Sequence, residues 1–388
     1  MKIKVRPEDF IVEEIINAQA LKTGKFCLYR LTKRGENTPE VVKKIAKVLH
    51  IPALQIAYAG RKDRHALTRQ YITIQGKNKP KINEKSFSLE PVGFLNEPMG
   101  PRFIQKNCFI ITVRSLISQE LAGALEAIGE AKQFGFANYF DDQRLGSFDQ
   151  RSGFLAEKIL KGHFNGALKI YLTRVNLQDK REDKERKNFF FKNWGDWQAC
   201  LKKARLKFER LAFECLVRSP KDFVFLLQQI PPEELFLYYS AYQAYLWNEV
   251  LRRLIRAKIK PPHTFYKGKC ADYIFYRRLD EKELAYWQEL LISLSASNLK
   301  IKDAAVKKIY EAVLKENDLR LAQFNLRKIR QAFFKPLERR AMVVPLDLSF
   351  EVLPDEIYKD RKKLTLRFAL PRGCFGTMLV KKLFAQDL

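Results

Sequence analysis

The spacing of apolar residues changes period twice along this chain, and that limits the folds open to it. Near the start, Ile3, Val5, Phe10 and Val12 alternate with polar neighbours, and Ile72 and Ile74 share one face further on. Alternation is the two-residue period of a half-buried strand. From about residue 150 to 340 the pattern is mostly helical. It is clearest from Glu233 to Lys258, where Leu235, Tyr239, Tyr242, Leu246, Val250 and Leu254 form one stripe that Pro261-Pro262 stops. Strand character returns at 341–353 and 364–370, where Leu366, Phe368 and Leu370 alternate. Strands at both ends with helices between them predict an α+β chain, in which a sheet-based domain is interrupted by an inserted, largely helical one. We place the first part of the sheet domain at 1–155, the insertion at 156–342 and the final strands and helix at 343–388.

The same pattern predicts single elements. Pro7 bends the first strand or puts it at an edge. Thr38 as cap and Pro39 in the first turn open a helix whose apolar face is Val41, Val42, Ile45, Ala46 and Leu49. Short strands are expected at 55–58 and 70–74, and a buried strand at 108–113. Helices fit 118–134, closed by Gly135, then 302–315, 318–334 and 377–384. The all-polar run 178–187 reads as a solvated loop or helix end.

Charge points to the partner. Lys plus Arg number 72 against 44 Asp plus Glu, a net +28. A surplus this large favours a polyanion, and nucleic acid foremost, because each neutralised phosphate releases counterions. The basic residues are spread along the chain rather than grouped on one amphipathic helix, which disfavours a membrane surface. No apolar run reaches the length of a membrane span, and the charged N-terminal segment does not read as a signal peptide. Six cysteines without C-x-x-C read as reduced thiols of a cytoplasmic protein. Four scattered histidines give no metal-ligand spacing, and neither a P-loop nor G-x-G-x-x-G occurs.

Two segments could carry chemistry. Asp63 lies in the charged connection Ala59–His65 between two predicted strands, beside Arg61, Lys62, Arg64 and Arg69. It is either a turn aspartate neutralised by its neighbours or a carboxylate kept ionised in a basic groove to act on a sugar or base. Residues 136–146 interleave Phe136, Tyr139 and Phe140 with Asn138, Gln143 and Arg144. That composition suits either stacking and edge recognition of a base or a buried corner. Phe375, in a glycine-rich bend, reads on composition as a core plug. His65 reads as a solvated loop residue, and Asp141-Asp142 as a poor chelating pair.

Four segments together resemble the TruD family of tRNA pseudouridine synthases. They are KVRPEDFIVE at 4–13, AGRKDRHALTRQ at 59–70, ANYFDDQRLG at 137–146 and LPRGCFGTML at 370–379, with softer matches at 107–114 and 240–248. The resemblance implies a mixed-sheet pseudouridine synthase domain, an inserted TRUD-type domain and a cleft between them. It implies isomerisation of uridine in tRNA, at position 13 of the D-arm, by base flipping and without a metal or organic cofactor. Asp63 would be the catalytic aspartate and Lys4 the lysine that holds it ionised. Phe10, Asn138, Phe140 and Phe375 fall on positions placed around the target uridine. The chain departs from the family pattern at Asp141, where Gly is usual, at Leu145 for Phe, and at Gly376 for Ala. The alternative is a non-catalytic RNA-binding or RNA-folding protein on the same scaffold. No obligate protein partner is implied, and a monomer is expected.

Overall fold

The alternating segments pair into one mixed sheet. The computed structural model describes residues 1–76, 80–176 and 178–387. Its sheet strands are β1 (Phe10–Ile16), β2 (Phe26–Arg34), β3 (Ile56–Tyr58), β4 (Leu67–Gln75), β5 (Ile82–Asn83), β6 (Phe87–Leu95), β7 (Ile104–Leu116), β8 (Leu346–Pro354) and β9 (Lys362–Pro371). They run in the order β8-β9-β7-β1-β4-β2-β6-β5, with β3 also paired to β4. β1 is parallel to β4, with Ile11 opposite Leu67, and antiparallel to β7, with Phe10 opposite Ile111. The remaining pairs are antiparallel. The apolar run at 108–113 thus lies inside β7, paired on both sides, as a strand without polar alternation should be.

The chain divides into two compact units. The first joins Met1–Phe136 to Val343–Ala385, and the second is Ala137–Met342 together with the last residues from Gln386. In the first unit, helix α1 (Thr38–Val48) packs Val41, Val42 and Ile45 against Tyr29, Leu31, Ile72 and Leu89 of the sheet. Helix α2 (Ser118–Phe134) ends at Gly135 with φ +68, a left-handed stop that glycine takes without strain. It packs on the C-terminal helix Gly376–Leu383, where the buried Lys382 ammonium meets Glu130 at 2.6 Å.

The N-terminal strand starts later than its apolar spacing predicts. Pro7–Asp9 form a turn of 3-10 helix, and β1 begins at Phe10. Asp9 explains the turn. Its carboxylate accepts from the Arg6 backbone N–H at 2.9 Å and from Nε of Arg114 at 2.9 Å, and Arg114 in turn reaches Asp355 at 3.1 Å. All three charged side chains are buried. Asp355 stays below the usual carboxylate range: burial pushes it up, but the N–H groups of Ser115, Ile357 and Tyr358 together with Arg114 outweigh that.

The second unit is built round the helix Pro232–Lys258, whose Leu235, Tyr239, Tyr242, Leu246, Val250 and Leu254 are all buried. Strands His263–Tyr266 and Tyr273–Tyr276 pair antiparallel, as do Leu291–Ser293 and Glu338–Arg340. The run 178–187 holds the start of a helix, Arg181–Lys192, within the reading of it as a solvated loop or helix end. Arg186 alone in it is buried, turned inward to Glu209 and Asp183, and Phe190 beyond it is fully buried. Two expectations fail locally. The helix expected at 318–334 is absent, and only Leu321–Phe324 make a turn of 3-10 helix. Asp318 takes φ +51 after Ala304–Glu316 ends, and the buried Phe324, Ile329 and Phe334 are not spaced for one helical face. Thr38 is the first helical residue of α1 rather than its cap, a position that Asn37 holds.

Candidate active site

The loop that carries Asp63 connects β3 to β4, and side chains rather than a ladder hold its backbone. Gln70 Nε2 donates to the Gly60 carbonyl at 3.3 Å. The Lys62 N–H donates to Thr38 Oγ1 at 3.0 Å, and that hydroxyl donates to Gln70 Oε1 at 2.9 Å. Lys33 Nζ donates to the Asp63 carbonyl at 2.7 Å and to that of Glu36 at 2.8 Å. The Gly35 N–H reaches the Ala66 carbonyl at 3.3 Å. Lys33, Thr38 and Gln70 are each fully buried. A lysine with no exposed surface is unusual. Burial lowers the Lys33 pKa to about 8, against the opposing pull of Asp63.

Among the described residues, the Asp63 carboxylate has one ion-pair partner. Lys4 Nζ donates to Oδ2 at 3.1 Å, and both side chains keep about a fifth of their surface, 22% and 18%. The same ammonium stands 4.1 Å from the centre of the Phe10 ring, within cation–π range. Phe10 is itself buried edge-on to Phe109, with centroids 6.4 Å apart. Two of the neighbours that sequence proximity suggested, Lys62 and Arg69, are engaged elsewhere. Lys62 pairs with buried Glu14 at 2.7 Å and donates to Asn107 Oδ1 at 2.7 Å. Arg69 pairs with Glu13. The partly exposed Phe375 caps the C-terminal helix, its carbonyl accepting the Met378 N–H at 3.0 Å. Lys4, Phe10 and Asp63 are therefore brought together by contact.

In the second unit, Ala137 to Asp141 form a buried corner. Asn138 has both amide atoms engaged: Nδ2 donates to the Arg340 carbonyl at 3.0 Å and Oδ1 accepts from Arg339 at 2.6 Å. Arg339 Nε also donates to the Asn138 carbonyl at 2.8 Å, and its guanidinium lies 4.3 Å from the centre of the Phe140 ring. Asn248 clamps the Phe140 backbone, accepting its N–H at 2.9 Å and donating to its carbonyl at 2.8 Å. Phe140 packs edge-on to Trp247 at 5.4 Å. Asn138 and Phe140 are thus held rigidly side by side.

Other candidates resolve simply. His65 is exposed. Asp142 accepts from the Lys269 N–H and the Tyr273 hydroxyl, each at 2.8 Å. Asp141 keeps a negative φ, so standing where glycine is usual strains nothing. Among the described residues no group of three or more His, Cys, Asp or Glu could hold a metal, and no helix is long and apolar enough to cross a membrane. Sequence reasoning missed Lys33, Asn248 and Arg339 as supports, and took Thr38 for a cap alone. A signal was present for Lys33: it occupies the inward position of β2 in step with Tyr29 and Leu31.

Comparison with known proteins agrees along nearly the whole chain. The family model described as tRNA pseudouridine synthase D (TruD) matches residues 1–383. The chain is 33% identical to "Probable tRNA pseudouridine synthase D 2" of Methanocaldococcus jannaschii, over 99% of this chain and 92% of that protein. It is 28% identical to the tRNA pseudouridine synthase D of Leptospira interrogans, over 99% and 96%. A crystal structure of a TruD protein from Methanosarcina mazei superposes with a TM-score of 0.73 at 24% identity, over 99% of this chain and 93% of that one, so the fold is shared.

Proposed function

Because this chain belongs to the tRNA pseudouridine synthase D family of isomerases, we propose that it converts one uridine of tRNA, position 13 in the D-arm, to pseudouridine with Asp63 as the reacting carboxylate. The observation that carries the assignment is the Lys4–Asp63 ion pair on a loop pinned at Gly60, Lys62, Asp63 and Ala66.

The reaction balances within one molecule. The N1–C1′ bond breaks, the uracil turns, and C5 bonds to C1′. C5 then gives up its proton and N1 takes one, so no second substrate is consumed. Unstacking the base takes about a few kcal/mol, which stacking on aromatic rings partly returns. We assign Phe10, Phe375, Asn138 and Phe140 to that uridine by their place in the matching motifs. A carboxylate stabilises positive character at C1′ as the glycosidic bond weakens, and Lys4 holds it aimed. The insertion read at 156–342, with the chain's basic surplus, would grip folded RNA by shape and phosphate contacts.

Tritium release from tRNA labelled at uridine C5 tests the reading. Wild type should release label and Asp63→Asn should not, with tRNA binding retained. Tight binding by wild type without release from a full tRNA pool would establish the RNA-binding alternative instead.

A further inference from the structure

We propose that Lys33 is a positioning residue for the isomerisation: by holding the Asp63 carbonyl it fixes the direction in which the Asp63 side chain leaves the loop. The proposal rests on Asp63 being the reacting carboxylate.

The peptide that precedes Lys62 is held through its N–H, by Thr38 at 3.0 Å. The peptide that follows Asp63 is held through its carbonyl, by Lys33 at 2.7 Å. Two fixed peptide planes bracket the two residues between them, so the Cα–Cβ direction of Asp63 is set from behind while Lys4 holds the carboxylate in front. The second bond of Lys33, to the Glu36 carbonyl at 2.8 Å, anchors the same ammonium to the turn between β2 and α1. One buried cation therefore ties two separate loops together. Neither carbonyl lies on a strand whose ladder could hold it instead.

The identity of the side chain matters too. Desolvating an ammonium is costly, and a strand facing a core has no need of one. Here it supplies charge-assisted bonds to two carbonyls from a single stem, which a hydroxyl could not do. The pKa near 8 leaves it protonated at neutral pH, with all its N–H groups available as donors.

The test compares single-turnover tritium release with tRNA affinity for wild type and Lys33→Met, which keeps the stem and loses the donor. Both are measured on the full chain with a C5-labelled tRNA pool, well below either melting temperature. The rate should fall about a hundredfold, the loss expected when a reacting group is displaced by about 1 Å, while Kd stays within about twofold. Lys33→Gln, with two N–H donors on a shorter stem, should recover about tenfold of that loss. A Lys33→Met rate within twofold of wild type would overturn the proposal, as would a rate loss matched by an equal loss of affinity. If Lys33→Met does not fold, Lys33→Gln carries the comparison: about a tenfold slower rate at wild-type affinity supports the proposal, and an unchanged rate overturns it. A wild type that releases no tritium removes the premise, and is seen before any variant is compared.

Discussion

Lys4 Nζ lies 3.1 Å from Oδ2 of Asp63, although the two residues are 59 positions apart, and it arrives there from a backbone with φ +57. A left-handed conformation is uncommon for a lysine and costs about 1 kcal/mol or more. The surrounding structure imposes it: Lys2 bridges Arg114 on one side, and Asp9 fixes the turn on the other. The strain is spent on presenting an ammonium to a carboxylate.

Lys4→Gly separates those two effects. Glycine relieves the backbone, and this offsets the lost ion pair and cation–π contact to within about 1 kcal/mol. Tritium release should fall about a hundredfold because the carboxylate loses its partner. Calorimetry and the release assay on one preparation check both halves. A drop in Tm of more than a few degrees would show that Lys4 serves the fold instead.

Thr38→Val keeps shape and removes one hydroxyl. It strips the acceptor from the Lys62 N–H and the donor from Gln70, both of which lie inside the first unit. A loss of about 1–3 kcal/mol is expected, since the Gln70 amide oxygen stays buried without its donor. Hydrogen exchange should locate the change: the Lys62 amide gains exchange while amides of β2 and β4 keep their protection. Uniform deprotection across the sheet would contradict a local pin.

The fold was legible where periodicity and caps agreed. Gly135 ends α2 where it was expected, and the stripe from Leu235 to Leu254 is the core of the second unit. It was not legible where polar groups do structural work inside. Arg186 is buried inside a run that reads as solvated, and Lys33 sits in a strand pattern as an unremarked polar residue. Asp63 and Lys4, which the motifs single out, lie in contact, but neighbours in sequence misnamed the carboxylate's company. Lys62 is adjacent to Asp63 yet pairs with Glu14. Adjacent residues on an extended segment point apart, so charge proximity along a chain is a poor guide to ion pairing.

Asn248 should matter more than a residue on a packing helix usually does. It pairs both backbone groups of Phe140; truncation takes the acceptor from a buried N–H, while the carbonyl keeps the Tyr273 hydroxyl at 3.3 Å. Asn248→Ala is expected to cost about 1–3 kcal/mol, the usual figure for one unmet buried group. Asn248→Asp keeps the acceptor alone and should fall between the two. Chemical denaturation of all three proteins checks the order, and Asn248→Asp matching wild type would remove the clamp.

Gly376 is a packing requirement rather than a loosened joint. A Cβ there would stand 2.8 Å from one ring carbon of Phe109 and 3.0 Å from the next. Phe109 cannot recede, because Phe368 stacks on it at 5.3 Å. Gly376→Ala should therefore destabilise by about 1–3 kcal/mol despite the helical gain of alanine. Phe109→Leu on the same background should restore part of the loss, and a double-mutant cycle measures the coupling. Additive changes would show that the ring is not what excludes the methyl.

Lys33 also makes a prediction about pH whose sign is opposite to that of a stabilising ion pair. Burial, set against the nearby Asp63 and Glu36 charges and reinforced by Lys62, takes its pKa from an ordinary 10.5 down to about 8. Below pH 8 the group is protonated whether the chain is folded or not, and the folded state bears the whole desolvation cost. Between pH 8 and 10.5 the unfolded chain holds a proton that the folded one has released. Stability then rises with pH, by about 3 kcal/mol across the window. Other groups titrate there as well, so the quantity to measure is the difference between wild type and Lys33→Met, in which they cancel. Wild type should gain on the variant from pH 8 upward and level off above 10.5. Parallel stability curves would mean that Lys33 is hydrated in solution and titrates as a surface lysine does. The two carbonyls it holds would then need another explanation for their place beside the Asp63 carboxylate.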